Sequence, residues 1–359
     1  MKKRYAYLIG FLLTTTLSFG QVWTGVVDSD WSNPQNWSPN GVPSTRIEIP
    51  LTNNSPTISQ TVPNIQSLTI KEGANLNVTI AGVLQIINEY TSIGLNNKGT
   101  IQNQGKILIE EASSFGISND GTLINEGTIE SNKMGMHGIF NFKNLVNNGH
   151  IIVRDSKDVG IENIGTFENT STIHIEASDS IALKNYLDFK NTGTIDLLQS
   201  GKFGLQNVGN FNNQGQLNIH TTLREGMTNH KIFDNYGTVV IESPSRAAIL
   251  NYSDIMNHGQ WNIYNSGLQG IMNYVNFINH GTIDIQNANK NGIENLTFFE
   301  NHGAIQIYNS KNVGIFNAAT FINHNSLSID KSITAGLWSQ IKFENHGEMS
   351  ISNTTWSGI

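Results

Sequence analysis

From Ile101 onward the chain can be written in rows of 22 residues without a gap, and this period constrains the fold more than any other feature. The row starts are Ile101, Leu123, Leu145, Phe167, Phe189, Phe211, Phe233, Ile255, Phe277, Phe299, Phe321 and Phe343, all large and apolar. Two residues later every row has asparagine: Asn103, Asn125, Asn147, Asn169, Asn191, Asn213, Asn235, Asn257, Asn279, Asn301, Asn323 and Asn345. Two further on comes glycine, with Ser171 and Asn325 as the exceptions. Apolar residues spaced by two follow, as in Ile283 and Ile285, which is the alternation of a strand with one buried face. A second block in each row reads Gly-Ile-x-Asn or a close variant. Its asparagine column runs from Asn119 to Asn317 and gives way to Ser339.

Each row thus holds about three short strands, and a row of this size cannot bury its apolar face alone, so rows must stack. Helical spacing is missing, and charged residues make up only 14% of the chain. A leucine-rich repeat has a similar period, but its leucine pattern and helical arm are absent. The expected fold is all-β: a right-handed parallel β-helix (a solenoid) with 22-residue coils and an N-terminal cap. Twelve coils at about 4.8 Å each make a rod roughly 55–60 Å long. In such a stack each asparagine meets its counterpart one row away. A side-chain amide has both donor and acceptor, so the twelve asparagines can form a hydrogen-bonded ladder. Asparagine also tolerates the left-handed backbone of turns, which suggests that the ladder positions themselves bend the chain.

The two ends break the period. Residues 1–20 read as a signal peptide: Lys2, Lys3 and Arg4 precede an apolar run, and Ser18 and Gly20 flank a cleavage site before Gln21. The run is too short to span a bilayer, and no later stretch is apolar enough, so no membrane span is expected after its removal. Removal lowers the formal charge from −7 to −10, because the segment holds three basic residues and no acid. An acidic chain without a basic cluster is a poor ligand for nucleic acid. Residues 21–57 concentrate Trp23, Trp31 and Trp37 with prolines, and read as a plug over an open end of the β-helix. Sugar stacking by these tryptophans is the alternative. Residues 58–359 form the β-helix, regular from 101 and ending in mid-coil at Gly358-Ile359. Further C-terminal sequence or another copy is expected to meet that edge.

The pattern Trp23-Thr24-Gly25, Asp30-Trp31, Asn36-Trp37 and Val42-Pro43 resembles the opening of secreted surface proteins of Bacteroidota-type bacteria. The rows that follow are similar in general style to autotransporter passengers and filamentous-haemagglutinin-like adhesins. The resemblance implies a secreted or cell-surface location and a repetitive adhesive region. It also implies a C-terminal sorting domain, for which the terminal "TTWSGI" offers no match.

Catalysis is the competing reading. On the main strand of the rows, Arg154 and Glu176 share one outward column, and His174 and Asp196 share another, with His150 and His220 nearby. A base beside carboxylates on a rigid sheet can do acid–base work, as in polysaccharide lyases or glycoside hydrolases. Constant row length argues against it, since no inserted loop walls a cleft. A second candidate is the column His258, His280, His302, His324 and His346. A straight column of rings does not converge well on one metal ion, so a stacked ring ladder covering a turn is expected instead. No cofactor and no metal are expected. The sequence therefore favours an exported structural or adhesive rod, with a polysaccharide or cell-surface ligand as its partner.

Overall fold

Each regular row folds as three strands joined by tight corners, as in Thr166–Asn169, Thr172–Glu176 and Ile181–Asn185. A computed structural model describes residues 20–87 and 91–356. The expected signal peptide, apart from Gly20, and the terminal Gly358-Ile359 lie outside the described residues. Equivalent strands of successive rows pair side by side into three long sheets of 14, 13 and 16 strands. We call them the Phe sheet, the long-strand sheet and the Gly-Ile sheet. Pairing is in register by rows: Phe167 faces Phe189, Ile173 faces Ile195 and Leu183 faces Leu205, all between parallel strands. The chain is therefore an all-β parallel solenoid with 22-residue coils, as the period implies. Among the described residues no helix is long and apolar enough to cross a membrane.

Inward residues of the three sheets form one continuous apolar core from Trp23 to Leu337. On the Phe sheet the rings of Phe167, Phe189, Phe211 and Phe233 stack one over another, with centroids 4.6–5.2 Å apart. The run is interrupted where Ile255 replaces phenylalanine, then resumes at Phe277. Trp261, from the facing long strand, fills the space left by the smaller Ile255. It is fully buried and packs edge-on against both Phe233 and Phe277. The glycine of the Gly-Ile block has a steric origin. A Cβ on Gly160 would lie 2.3 Å from Ile175 Cγ2, so the Gly-Ile sheet approaches the core of the long-strand sheet too closely for a side chain.

Two of the three corners are held by asparagine. Each ladder residue is the last of its strand, and its amide reaches to the next row. Asn191 Nδ2 donates to Asn213 Oδ1 at 2.8 Å, to the Gln216 carbonyl at 3.1 Å and to the Gly193 carbonyl at 3.2 Å. The same pattern joins Asn103 to Asn345 without a break. The second ladder begins one row before the Gly-Ile-x-Asn block was recognised, at Asn97, and ends on the Ser339 hydroxyl, which accepts from Asn317 at 2.9 Å.

The third corner corrects one expectation. The left-handed backbone falls on a separate column, not on the ladder asparagines. The column comprises Glu111, Lys133, Asp155, Ala177, Gln199, Thr221, Ser243, Asn265, Asn287, Asn309, Lys331 and Asn353, with φ between 51° and 65°. The ladder residues instead remain extended, because their work is done by the side-chain amide.

The N-terminal tryptophans are structural. Trp23, Trp31 and Trp37 are buried and pack edge-to-face, with centroids 5.0 and 4.8 Å apart. Indole N–H groups of Trp23 and Trp37 donate to the carbonyls of Asn54 and Trp31. Their faces are thus unavailable for stacking on sugar. The strand Gln21–Trp23 pairs antiparallel with Trp37–Ser38, the first edge of the Gly-Ile sheet, and parallel with Arg46–Ile49.

Two predictions follow from this packing. Asn213→Ala removes the acceptor of Asn191 and the donor of Asn235, both buried, and should cost about 1–3 kcal/mol. Gln216→Ala, at an exposed neighbour, should cost little. Equal thermal melts for the two variants would contradict a stabilising ladder. Separately, Ile255→Phe should overpack and Trp261→Ile should leave a void, at about 1–3 kcal/mol each. The double variant restores the pattern of the other rows and should be more stable than the sum of the two losses predicts. Simple additivity in denaturant titrations would rule out the compensation.

Candidate functional site

The long-strand sheet carries the residues singled out for acid–base chemistry. Its outer face brings them together as cross-strand neighbours: Arg154 faces Glu176, and His174 faces Asp196. Glu176 Oε2 lies 3.7 Å from both Arg154 Nε and His174 Nε2. Asp196 is instead engaged by Asn218, whose Nδ2 donates to it at 2.6 Å. His150 meets the Thr172 hydroxyl, and His220 lies 3.1 Å from Glu242. These groups sit on a flat, solvent-exposed sheet, where ion pairs contribute at most about 1 kcal/mol.

A more enclosed arrangement lies on the outer face of the Phe sheet. A groove of about 590 Å³ is lined by Glu168, Asp188, Lys190, Asn210, Asn212 and Asp234, among others. Lys190 Nζ is 2.8 Å from Glu168 Oε1, and Asn210 Nδ2 donates to Asp188 Oδ1 at 2.8 Å. The Oδ1 atoms of Asn210, Asn212 and Asp234 are shielded from solvent and meet no donor from the protein. Burial raises the Asp234 carboxyl above its ordinary value, with His258 opposing. Val146 and Met256 close the column at either end, so the polar zone is bounded. Sequence reasoning missed this groove because it followed the outward positions of the long strand. The signal was present one strand earlier. The residue between row start and ladder asparagine is apolar at Ile124, Val146, Met256, Ile278 and Ile322, and polar at Glu168, Lys190, Asn212 and Asp234.

Beyond Asp234 the same sheet edge carries the histidine column. Tyr236 and the five imidazoles stack nearly parallel, with centroids 4.5–5.3 Å apart. A second stack, His230, Tyr252 and Tyr274, lies along the neighbouring corner. Tyr186, in the same column, holds Lys184 over its ring.

On the Gly-Ile sheet three rows share a half-enclosed charge cluster. His137 Nε2 lies 3.2 Å from Glu162, and Glu162 also pairs with Lys184 at 3.4 Å. The His137 ring stacks on Phe115 and meets the edge of Phe140. Its Nδ1 has no partner in the protein.

Fold and surfaces together define a parallel solenoid with polar patches on its faces. A family model described as "Domain of unknown function (DUF8693)" matches residues 22–139, and over that stretch the chain is similar to this family. The match runs from the tryptophan cluster into the first regular rows. No curated protein and no solved structure matches the chain.

The histidines make stability depend on pH. Burial pushes His137 below its ordinary value, against the pull of Glu162 and Asp158 and with help from Lys184. Burial lowers His230 as well. It also lowers His280, whose neighbours His302 and His258 add to the effect while Glu300 opposes it. A lowered folded value means that the unfolded chain binds more protons, so stability falls as pH drops below the unfolded value of about 6.5. The melting temperature should therefore decline between about pH 6.5 and 5. His137→Phe, which continues the Phe115 stack, should flatten that decline. An unchanged pH slope in the variant would show that His137 does not contribute.

Proposed function

We propose that this chain is an exported, non-catalytic structural or adhesive rod that binds glycan or another polar cell-surface ligand through the groove on its Phe sheet. The observation that carries the reading is the groove of about 590 Å³, whose lining of Glu168, Asp188, Lys190, Asn212 and Asp234 offers carboxylates, an ammonium and an amide to sugar hydroxyls. Lys190 and Glu168 add charged partners at the groove wall. Constant row length supports a scaffold over an enzyme, because the acid–base candidates lie on an open face with no loop to exclude water. Export rests on the N-terminal signal pattern, and attachment to a surface on the resemblance of the tryptophan segment to secreted surface proteins.

The test is to incubate the purified chain with a panel of uronate and neutral polysaccharides, measuring both binding and new unsaturated or reducing ends. Binding without turnover is expected. Asn212→Ala combined with Asp234→Ala should weaken binding about tenfold or more, given hydrogen bonds of about 0.5–1.5 kcal/mol each, with charged ones stronger. His174→Ala combined with Asp196→Ala should leave binding unchanged. Turnover by the parent that vanishes in this second pair would establish the hydrolase or lyase reading, since acid–base groups supply about 10²–10⁴-fold in rate.

A further inference from the structure

The histidine column, which by itself converges on no point, is joined by one residue from another column. Glu300 lies two residues before His302, and its Oε1 is 3.2 Å from His302 Nε2 and 3.0 Å from His324 Nε2. The three ligand atoms lie within 4.8 Å of one another. We propose that Glu300, His302 and His324 bind one divalent transition-metal ion of the zinc class, with solvent completing the coordination.

Distances fit such an ion. Zinc takes imidazole nitrogen and carboxylate oxygen at about 2.0–2.2 Å in tetrahedral geometry, which places neighbouring ligand atoms about 3.3–3.6 Å apart. The two carboxylate–imidazole separations are within a few tenths of an ångström of that. Two imidazoles and a carboxylate favour zinc, copper or nickel over calcium and magnesium, which prefer all-oxygen sites. Three protein ligands leave a coordination position open.

Charge supplies an independent reason. Glu168 is paired with Lys190, and Glu344 with Lys342 at 3.0 Å. Glu300 differs: its neighbours in the column are Ile278 and Ile322. Among the described residues its carboxylate meets only the two imidazoles, with no lysine or arginine. A bound cation would provide the missing counter-charge.

The backbone holds the ligands in place. Asn301 lies between Glu300 and His302, and Asn323 directly precedes His324. Their ladder hydrogen bond, at 2.7 Å, fixes the spacing of the two rows at the site itself. The rings of His302 and His324 stack 4.5 Å apart and within 2° of parallel, so both must turn to aim their Nε2 lone pairs at one ion. Each is about one-third exposed, which leaves room for that turn. The site lies rows away from the polar groove, and the inference holds whether or not that groove takes glycan.

The experiment is calorimetric titration of the chelator-treated, dialysed full chain with zinc chloride, accompanied by thermal melts. Calcium and magnesium chlorides serve as comparison ions. Expected are saturable binding of a single zinc ion, a zinc-dependent rise in melting temperature, and no response to calcium or magnesium. Glu300→Gln keeps the side-chain shape and removes no lysine or arginine contact, so the fold is retained; it should weaken zinc binding about tenfold or more. His302→Gln with His324→Gln should abolish it. His258→Gln, at the far end of the column, should leave it unchanged. Absence of saturable binding would overturn the proposal. So would equal affinity in Glu300→Gln, or a loss on His258→Gln as large as that on changing the two ligands.

Discussion

The hydrogen bond from one asparagine amide to the next, 22 residues along the chain, is the constraint on which the rest of the structure depends. It does more than join rows. Because the same Nδ2 also donates to backbone carbonyls at the corner, any change in row length would break side-chain and main-chain bonds together. Rows carrying the asparagines are all of one length. Where the equivalent positions are Ile70 and Val78, opposite Asn97 and Asn103, the spacing of partners drifts: Leu68 pairs with Leu95, and Leu76 with Ile101. Fixed row length in turn forbids inserted loops. Surface chemistry is then confined to columns of side chains on flat sheets.

That confinement explains how the outer face of the Phe sheet is divided. The polar groove spans the rows from Asn144 to Asp234, and the histidine column occupies those from His258 onward. The first of those histidine rows is that of Ile255 and Trp261, where the core changes its packing. A carboxylate placed beside a stack of imidazoles, as at Glu300, needs only one substitution in one column. The ladder beneath it keeps every neighbour in position.

Much of this was legible in the sequence, because a stacked fold repeats its local chemistry at a fixed interval. Row length, the parallel stack and the first ladder can be read directly. Other features were hidden for definite reasons. The left-handed corner accepts Glu111, Ala177, Thr221 and Lys331 alike, so no residue type marks it. Asn97 closes the block Gly94-Leu95-Asn96-Asn97, which lies before the regular rows begin at Ile101, and so escaped the pattern. The groove is formed by a column in which polarity varies along the rod, a signal that a row-by-row consensus erases. Glu300 belongs to a different column from the histidines it touches. Its proximity depends on side-chain reach that periodicity does not encode.

The ladders also have a direction. In every link the earlier row donates and the later row accepts, from Asn103 through to Asn345. At the same corners most main-chain hydrogen bonds run the other way: the N–H groups of Gln214 and Gly215 donate back to the Asn191 carbonyl, and that of Gln216 to the Gly193 carbonyl. The side-chain amides all align with one another. Two columns of aligned amides therefore oppose the main-chain dipoles of the corners they hold and reduce the lengthwise polarity that those corners would otherwise give the solenoid. At the head of the first ladder, Asn103 Oδ1 is left without a protein donor.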